Sequence, residues 1–316
     1  MNRGNTVMKI AVLYGGISKE REVSLSSGKG IMKALEANGH EVIGIDFHPE
    51  KIEDLATLDV DLVFIGLHGK HGEDGRVQGL LDMLDIPYVG SGVLASALAM
   101  DKHKAKMLFE QQSIPVPKGK RYRVQQDSEI NEIVSHIKQN FECPFVVKPN
   151  SEGSTLGLTI IQDKQDTYNA VVNALKSDDY ILVEEFIQGL ELTIPVMGEM
   201  GKEEALPVIE IIPKNELYDY ESKYAAGGSE HIIPARIDED VAEKMKQYAI
   251  EAHQVLGCEV YSRADFLLTK DLTPYILEVN TLPGMTSTSL FPDSAKEIGM
   301  NYEAMIEKFV QLTLKK

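Results

Sequence analysis

Four polar residues near the C-terminus have the types and spacing that phosphate chemistry needs. Arg263 and Asp265 lie in one apolar stretch, and Glu278 and Asn280 lie in the next, with turn-forming residues between the stretches. This pattern predicts an antiparallel hairpin. Side chains alternate faces along a strand, so the hairpin would place Arg263 near Asn280. It would also place Asp265 near Glu278, with Ile276 on the same face as Glu278.

Two facing carboxylates predict a cation at this hairpin. They repel each other unless one is protonated or a cation lies between them. Carboxylate and amide oxygens suit magnesium, which usually shares its coordination shell with substrate phosphates. The alternative is a ladder of charges on the solvated face of an ordinary hairpin, because exposed charges need no special explanation.

A polar loop at 148–157 is a candidate phosphate-binding segment. Its small residues could offer backbone N–H groups to phosphate oxygens, and Lys148 would add a positive charge. The loop lacks the ending of a P-loop, and it could equally be a hairpin loop whose Gly and Ser serve turn geometry. Farther on, Glu184, Glu185 and Glu191 could accept ribose hydroxyls beside an apolar base pocket, or form a solvated acidic edge.

The turn after the first predicted strand indicates a ligand site, but not a site for a dinucleotide. Open α/β sheets bind ligands between this strand and the following helix. The segment 15–24 begins Gly-Gly but lacks the third glycine of a dinucleotide fingerprint, although Asp46 could have served as the ribose acceptor. Glu20 is better placed to bind a substrate ammonium group. His68 ends the third strand on the same edge, where a structural role is the commoner one.

Composition limits the classes of partner. The chain has 316 residues, 43% of them apolar, and a formal charge of −17. Nucleic acids and anionic membranes both need a basic footprint, so neither is expected as a partner. Cys143 and Cys258 have no ligand-like spacing, which argues against a thiolate zinc site and fits a reducing cytoplasm. We find no membrane span or signal peptide, and we expect residues 1–7 to be a disordered extension.

The order of elements predicts an α/β protein with three units. Strands at 9–14, 41–47 and 61–67 alternate with helices, the first at 24–37, which predicts a parallel sheet covered by helices. A single helix is predicted at 93–109. We place domain boundaries near 104 and 190, giving units 8–104, 105–190 and 191–316. The polar segment 214–234 is long enough to be a functional lid.

Several motifs occur together along the chain: Gly15-Gly-Ile-Ser-Lys-Glu-Arg-Glu-Val-Ser24, Leu67-His-Gly69, Gly72-Glu-Asp-Gly75, Lys148-Pro149, Glu152-Gly-Ser154, Arg263-x-Asp265 and Glu278-x-Asn280-x-x-Pro-Gly-Met-Thr-Ser-x-Ser289. In combination, from Met8 onward, they resemble the D-alanine–D-alanine ligases, an ATP-grasp family of peptidoglycan synthesis. The resemblance implies a Rossmann-like N-terminal domain that binds substrate, a small central α+β domain, and a C-terminal α+β domain.

The resemblance also implies roles for individual residues. The residues implied to bind the nucleotide are Lys102, Lys148, Glu184, Glu185, Ile187 and Glu191. The residues implied to coordinate two Mg²⁺ ions, which Mn²⁺ could replace, are Asp265, Glu278 and Asn280. The first D-alanine is implied to bind Glu20, in a hydrogen-bonded set with Ser154 and Tyr224, and near His68. The reacting centre is implied at Arg263 and the backbone N–H of Gly284, and the second D-alanine at Ser289, Leu290 and Lys223.

The implied reaction is ATP-dependent ligation of two D-alanine molecules through D-alanyl phosphate. Tyr224 favours D-alanine over D-lactate as the second substrate, because phenylalanine replaces this tyrosine in the related D-lactate ligases. A homodimer in the cytoplasm is the family expectation. The alternatives are an ATP-grasp ligase for another amino or hydroxy acid pair, and a nucleotide-binding regulator without turnover. Retention of Arg263 argues against the regulator, since binding alone needs no oxyanion stabiliser.

Overall fold

The fold combines one parallel sheet with two antiparallel sheets in the residues that the structure describes. The computed structural model describes residues 7–153, 155–213, 228–286 and 288–316. Among these residues the strands form three sheets, which we call the N-terminal, central and C-terminal sheets. The α/β class predicted from the sequence is confirmed.

The N-terminal sheet is parallel, with strand order β2-β1-β3-β4. Its strands are β1 (Lys9–Gly15), β2 (Glu41–Phe47), β3 (Leu62–Ile65) and β4 (Tyr88–Val89), and its helices are α1 (Arg21–Ala37), α2 (Glu53–Ala56) and α3 (Arg76–Met83). Gly15 and Gly16 both have positive φ, 79° and 75°, at the turn into α1. A Cβ at Gly15 would lie 2.1 Å from Asp46 Oδ1, so only glycine fits this turn.

The central sheet is antiparallel, with strand order β5-β8-β6-β7. Its strands are β5 (Gly119–Arg123), β6 (Phe145–Pro149), β7 (Thr159–Ile161) and β8 (Tyr180–Glu185), and α6 (Ile130–Asn140) and α7 (Thr167–Leu175) cover it. Val146 pairs with Glu184 and Lys148 pairs with Leu182, so Lys148 and Glu184 are diagonal neighbours on one face of the sheet. Both side chains line the large cleft described below.

The C-terminal sheet is antiparallel, with order β12-β11-β9-β13-β14 and β10 paired to β9. Its strands are β9 (Leu190–Glu199), β10 (Lys202–Ala205), β11 (Ile209–Pro213), β12 (Ser229–Ile232), β13 (Val260–Leu268) and β14 (Pro274–Asn280). The helices α8 (Glu239–Leu256), α9 (Leu290–Glu297) and α10 (Tyr302–Thr313) complete this part of the chain. The predicted lid segment 214–234 therefore contains strand β12, and its residues 214–227 lie outside the described residues. Residues 1–6 of the predicted extension also lie outside them.

The single helix predicted at 93–109 is wrong, because the structure has two helices, α4 (Val93–Met100) and α5 (Lys102–Gln111). Asp101 separates them with extended backbone angles, φ −80° and ψ 90°. Its carboxylate accepts a hydrogen bond from the Lys104 N–H at 3.1 Å and so caps α5. The break places Lys102 in the first turn of a new helix.

Two core clusters join the N-terminal part of the chain to the C-terminal sheet. Helices α4 and α5 pack in one cluster with β9, β13 and α8, through side chains such as Phe109 and Phe266. The other cluster holds the N-terminal sheet together with Tyr261, Phe291 and Phe309. The ring centroids of Tyr261 and Phe309 are 4.3 Å apart in a stacked pair.

No helix within the described ranges has the length and apolar content that a bilayer span needs. Both cysteines are free thiols. Cys258 is buried and Cys143 is partly buried.

We predict that Phe309→Ala lowers the free energy of unfolding by about 3–5 kcal/mol, because it removes a fully buried ring from the aromatic cluster. Urea denaturation followed by circular dichroism measures the loss. Leu314→Ala is the control, since Leu314 follows the same helix and is 53% exposed. Equal stability of the two variants would contradict the prediction.

Candidate active site

The predicted hairpin register is confirmed where the polar residues lie. Arg263 pairs with Asn280 and Asp265 pairs with Glu278 across β13 and β14. Between Asp265 and Phe266 the register shifts, so Phe266 pairs with Ile276. This irregularity adds a residue to β14 and reverses the faces beyond it.

The face predicted for Ile276 is wrong for the same reason. Ile276 is fully buried in the core beside Val279. Leu277 instead lies with Glu278 on the wall of a large cleft. The strand period of two holds from Glu278 to Asn280 and fails at the bulge.

Each facing carboxylate has its own cation from the protein. Arg263 donates two hydrogen bonds of 2.9 Å to Asp265, whose carboxylate also accepts one from Thr193 Oγ1. Lys102 Nζ lies 2.8 Å from Glu278 Oε2. Burial alone would lower the pKa of Lys102, but the Glu278 carboxylate outweighs it and the pKa rises. The protein therefore supplies a positive charge beside each of the two facing carboxylates.

A cleft of about 650 Å³ lies between the central and C-terminal sheets, a size that suits a small-molecule ligand. All six residues predicted to bind nucleotide line it: Lys102, Lys148, Glu184, Glu185, Ile187 and Glu191. Its apolar walls include Val146, Phe186 and Leu267. The sequence analysis missed Glu210 and Arg236, which also line the cleft. Arg236 donates to both oxygens of Glu210, at 3.0 Å and 2.6 Å.

A buried cluster of two lysines and a glutamate lies at the cleft. Lys148 Nζ is 2.7 Å from Glu184 Oε2, and Lys106 donates to Glu184 Oε1. Burial raises the pKa of Glu184, but the two ammonium groups outweigh burial and lower it to about 2. Burial lowers the pKa of Lys106. Sequence reasoning missed Lys106, although its place four residues after Lys102 on a helix puts both on one face.

A smaller cavity of about 80 Å³ adjoins this cleft. Five of the predicted catalytic and substrate residues line it: Glu20, Arg263, Gly284, Ser289 and Leu290. Lys102 and Glu278 line both the cavity and the cleft. These two residues therefore mark the point where the two spaces meet.

Two ionisable residues of the small cavity, Glu73 and His231, were missed by the sequence analysis. Glu73 is buried there and accepts a hydrogen bond from the Gly69 N–H at 2.7 Å. Burial, and then the charge of Glu20, raise its pKa well above the ordinary value. His231 Nδ1 lies 2.8 Å from Asp293 Oδ2. Glu73 belongs to a motif quoted for the family resemblance, which was a usable signal, whereas His231 stands in no recognisable pattern.

His68 lines neither space, so the structure does not place it against substrate. Its Nε2 lies 3.0 Å from Ser27 Oγ, and its Nδ1 lies 3.1 Å from the Leu282 carbonyl oxygen. Burial lowers its pKa. The ring instead ties α1 to the segment after β14. Ser154, Lys223 and Tyr224 lie outside the described residues.

The oxygen donors predicted for magnesium are suitable in type. Asp265 lines the cleft, Asn280 lines the small cavity, and Glu278 lines both. In the described ranges no group of three or more His, Cys, Asp or Glu side chains could hold a metal ion by itself. That agrees with the usual magnesium site, in which one or two carboxylates act together with substrate phosphates.

Asp46 has a structural role as the ion-pair partner of Arg21. Arg21 donates two hydrogen bonds to its carboxylate, at 2.7 Å and 2.6 Å. These hydrogen bonds lower the pKa of Asp46. The pairing adds to the case against a dinucleotide site at the end of β2.

A cleft with a buried lysine on its wall, meeting a small polar cavity, has the features of an enzyme site for a phosphate-bearing ligand and a small polar substrate. Residues 108–311 match the family model described as D-ala D-ala ligase C-terminus, and residues 48–91 match D-ala D-ala ligase N-terminus. The chain belongs to the D-alanine–D-alanine ligase family, and its fold is the ATP-grasp fold.

Relatives and solved structures agree with this assignment. The chain is 60% identical to a D-alanine–D-alanine ligase of Halalkalibacterium halodurans, over 98% of this chain and 100% of that protein. The D-alanine–D-alanine ligase of Bacillus anthracis complexed with ATP superposes with a TM-score of 0.82, 32% identity and 98% coverage of both chains. The VanG D-Ala:D-Ser ligase of Enterococcus faecalis superposes with a TM-score of 0.84 and 31% sequence identity, over 98% of this chain and 100% of that one.

We predict that Glu184→Gln lowers the free energy of unfolding by about 3–5 kcal/mol at neutral pH, because it leaves two buried lysines without their carboxylate. The pKa of Glu184 falls from 4.5 to about 2 on folding, so its contribution is present above pH 4.5 and is lost as the pH falls towards 2. Urea unfolding should show the two proteins converging over that range.

Glu185→Gln is the matched control for this variant, because within the described ranges the Glu185 carboxylate accepts only a backbone hydrogen bond, from the Lys118 N–H at 2.8 Å. A gap between wild type and Glu184→Gln that stays constant down to pH 2 would contradict the assignment.

Proposed function

We propose that this protein joins two D-alanine molecules, with cleavage of ATP to ADP and phosphate, to make D-alanyl-D-alanine for the cell wall. The observation that carries the proposal is the junction at Lys102 and Glu278. A nucleotide in the large cleft and an amino acid in the small cavity would meet there. Family membership supplies the identity of the amino acid.

The first step is phosphoryl transfer. A carboxylate oxygen of the first D-alanine attacks the γ-phosphorus, the bond from that phosphorus to the bridging oxygen breaks, and ADP leaves. Lys102 and Lys148 line the cleft and would offset the phosphate charge. Glu20, buried in the small cavity, would hold the substrate ammonium. The protein mainly positions reactants and compensates charge, as in other phosphoryl transfers.

The second step is acyl transfer. The amine of the second D-alanine attacks the acyl carbon of D-alanyl phosphate, and phosphate leaves from the tetrahedral intermediate. Arg263 and Gly284 both line the small cavity, and the Arg263 guanidinium and the Gly284 backbone N–H would stabilise the oxyanion. Ser289 and Leu290, at the start of α9, would bind the second substrate.

Two Mg²⁺ ions, with Mn²⁺ as a possible replacement, are part of the proposal. Asp265, Glu278 and Asn280 would hold them together with phosphate oxygens of the nucleotide. When bound, the ions neutralise charge on the transferring phosphoryl group. Lys102 and Arg263 already compensate the acids and would share them with the ions.

A homodimer and a cytoplasmic location are proposed on separate grounds. Helices α3 and α4 expose apolar side chains, with Met83 79% and Leu94 70% exposed, which a second copy of the chain could cover. The demand for ATP supports a cytoplasmic location.

The domain boundaries near 104 and 190 also stay predictions. They are supported by the three sheets, because the strands of each sheet lie within one proposed unit, to within one residue.

Phosphate release from ATP tests the activity. We expect release with D-alanine alone, and none with L-alanine, D-lactate or D-serine alone. Pairing D-alanine with D-lactate or D-serine, followed by mass spectrometry of the product, tests the second substrate. Release that does not depend on D-alanine would overturn the proposal, and a mixed product in excess of D-alanyl-D-alanine would favour another acid pair.

We predict that Glu278→Gln lowers kcat by about a hundredfold or more, because it removes a charge from the junction where phosphoryl transfer would occur. Steady-state phosphate release measures the effect. Glu297→Gln, at the exposed end of α9, is the control and should match wild type. Unchanged turnover in Glu278→Gln, with intact circular dichroism, would remove Glu278 from the site.

A further inference from the structure

Lys106 is a buried lysine that no step of the proposed reaction uses. It lies on α5, one turn after Lys102, and is 5% exposed. Its Nζ donates to Glu184 Oε1. It lines neither the cleft nor the small cavity, so it would not touch substrate. Burial of a lysine ammonium group is unfavourable unless an opposite charge compensates it, so the partner of Lys106 is the key to its role.

The partner of Lys106 is shared with a lysine that faces the nucleotide. Glu184 binds Lys106 through Oε1 and Lys148 through Oε2, the latter at 2.7 Å. Lys148 lines the cleft and is, with Lys102, one of the two lysines expected to contact phosphate. A phosphate oxygen would therefore compete with Glu184 for the same ammonium group.

Release of Lys148 would leave Lys106 as the one lysine in direct contact with Glu184 among the described residues. Glu184 is 3% exposed, and an uncompensated carboxylate at such a depth is strongly unfavourable. Lys106 is held independently of the nucleotide, since neighbouring Ala105 and Phe109 on α5 pack into the core of the C-terminal sheet. The Lys106 contact would persist when Lys148 turns away.

We propose that Lys106 is a positioning residue for the nucleotide: it keeps Glu184 compensated and so allows Lys148 to leave the carboxylate for phosphate. The inference rests on the proposed nucleotide cleft. It also gives α5 a specific function, because Lys102 and Lys106 on one helix face reach carboxylates of the C-terminal and central sheets respectively.

A purely structural bridge between α5 and the central sheet is the competing explanation. Changing the charge of the cluster distinguishes the positioning role from the structural bridge. Lys106→Met removes one of two lysines and leaves Glu184 and Lys148 as a matched pair, so we expect the variant to fold. In that pair Lys148 would be the one lysine in direct contact with Glu184 among the described residues, and phosphate would have to break the contact.

Calorimetric titration with ADP, in wild type and variants, tests the proposal without turnover. We expect Lys106→Met to weaken ADP binding about tenfold, the scale of one hydrogen bond between charged groups. KM for D-alanine should stay within about twofold of wild type, since the small cavity is unchanged. Lys106→Arg should restore most of the affinity, because it returns a cation to Glu184.

Lys104→Met is the matched control, because Lys104 lies on the same helix with its side chain 57% exposed, and it should bind ADP as wild type does. Equal ADP affinity in wild type and Lys106→Met, with a lower unfolding temperature, would reduce Lys106 to a structural bridge and overturn the proposal. If Lys106→Met is insoluble, Lys106→Gln serves the same comparison. Failure of wild type to bind ADP would instead overturn the nucleotide cleft itself.

Discussion

The ion pair between Lys102 and Glu278 is the contact on which the arrangement of the site depends. Its 2.8 Å separation ties the first turn of α5 to β14 at the place where the cleft and the small cavity meet. Lys102 Nζ also donates to the Glu152 carbonyl oxygen at 2.7 Å, so the same ammonium group holds the 148–157 loop. One buried charge thus fixes elements from three regions of the chain relative to each other.

Helix α5 can hold this position because both its ends are secured. Asp101 caps its first turn and also accepts a hydrogen bond from Asn150 Nδ2 at 2.9 Å. Phe109 is fully buried in the core of the C-terminal sheet. A helix fixed in this way can aim two lysines into a region where each buried charge needs a partner. A rigid support of this kind is what charge compensation in phosphoryl transfer requires.

Buried ion pairs seldom add much stability, because desolvation offsets their attraction. Those around the cleft are therefore better explained by function. Glu184, Lys106 and Lys148 form a cluster whose charges a nucleotide would redistribute, and Arg263 with Asp265 forms another beside the proposed acyl centre. Before ligand binds, the acids hold the cations in place. Phosphate and metal would then take over these partners rather than meet solvated groups.

The sequence by itself determined the parallel N-terminal sheet, the register of the hairpin at Asp265 and Glu278, and the family motifs, because these follow from local periodicity and fixed spacing. All six predicted nucleotide residues line one cleft. Only the tertiary structure decided the bulge that turns Ile276 inward, the helix break at Asp101 and the support role of His68. The pairing of Lys106 with Glu184, 78 residues away, was equally beyond the sequence. The physical reason is that partner choice for a buried charge depends on which elements meet in space, and residue spacing along a chain does not contain that information.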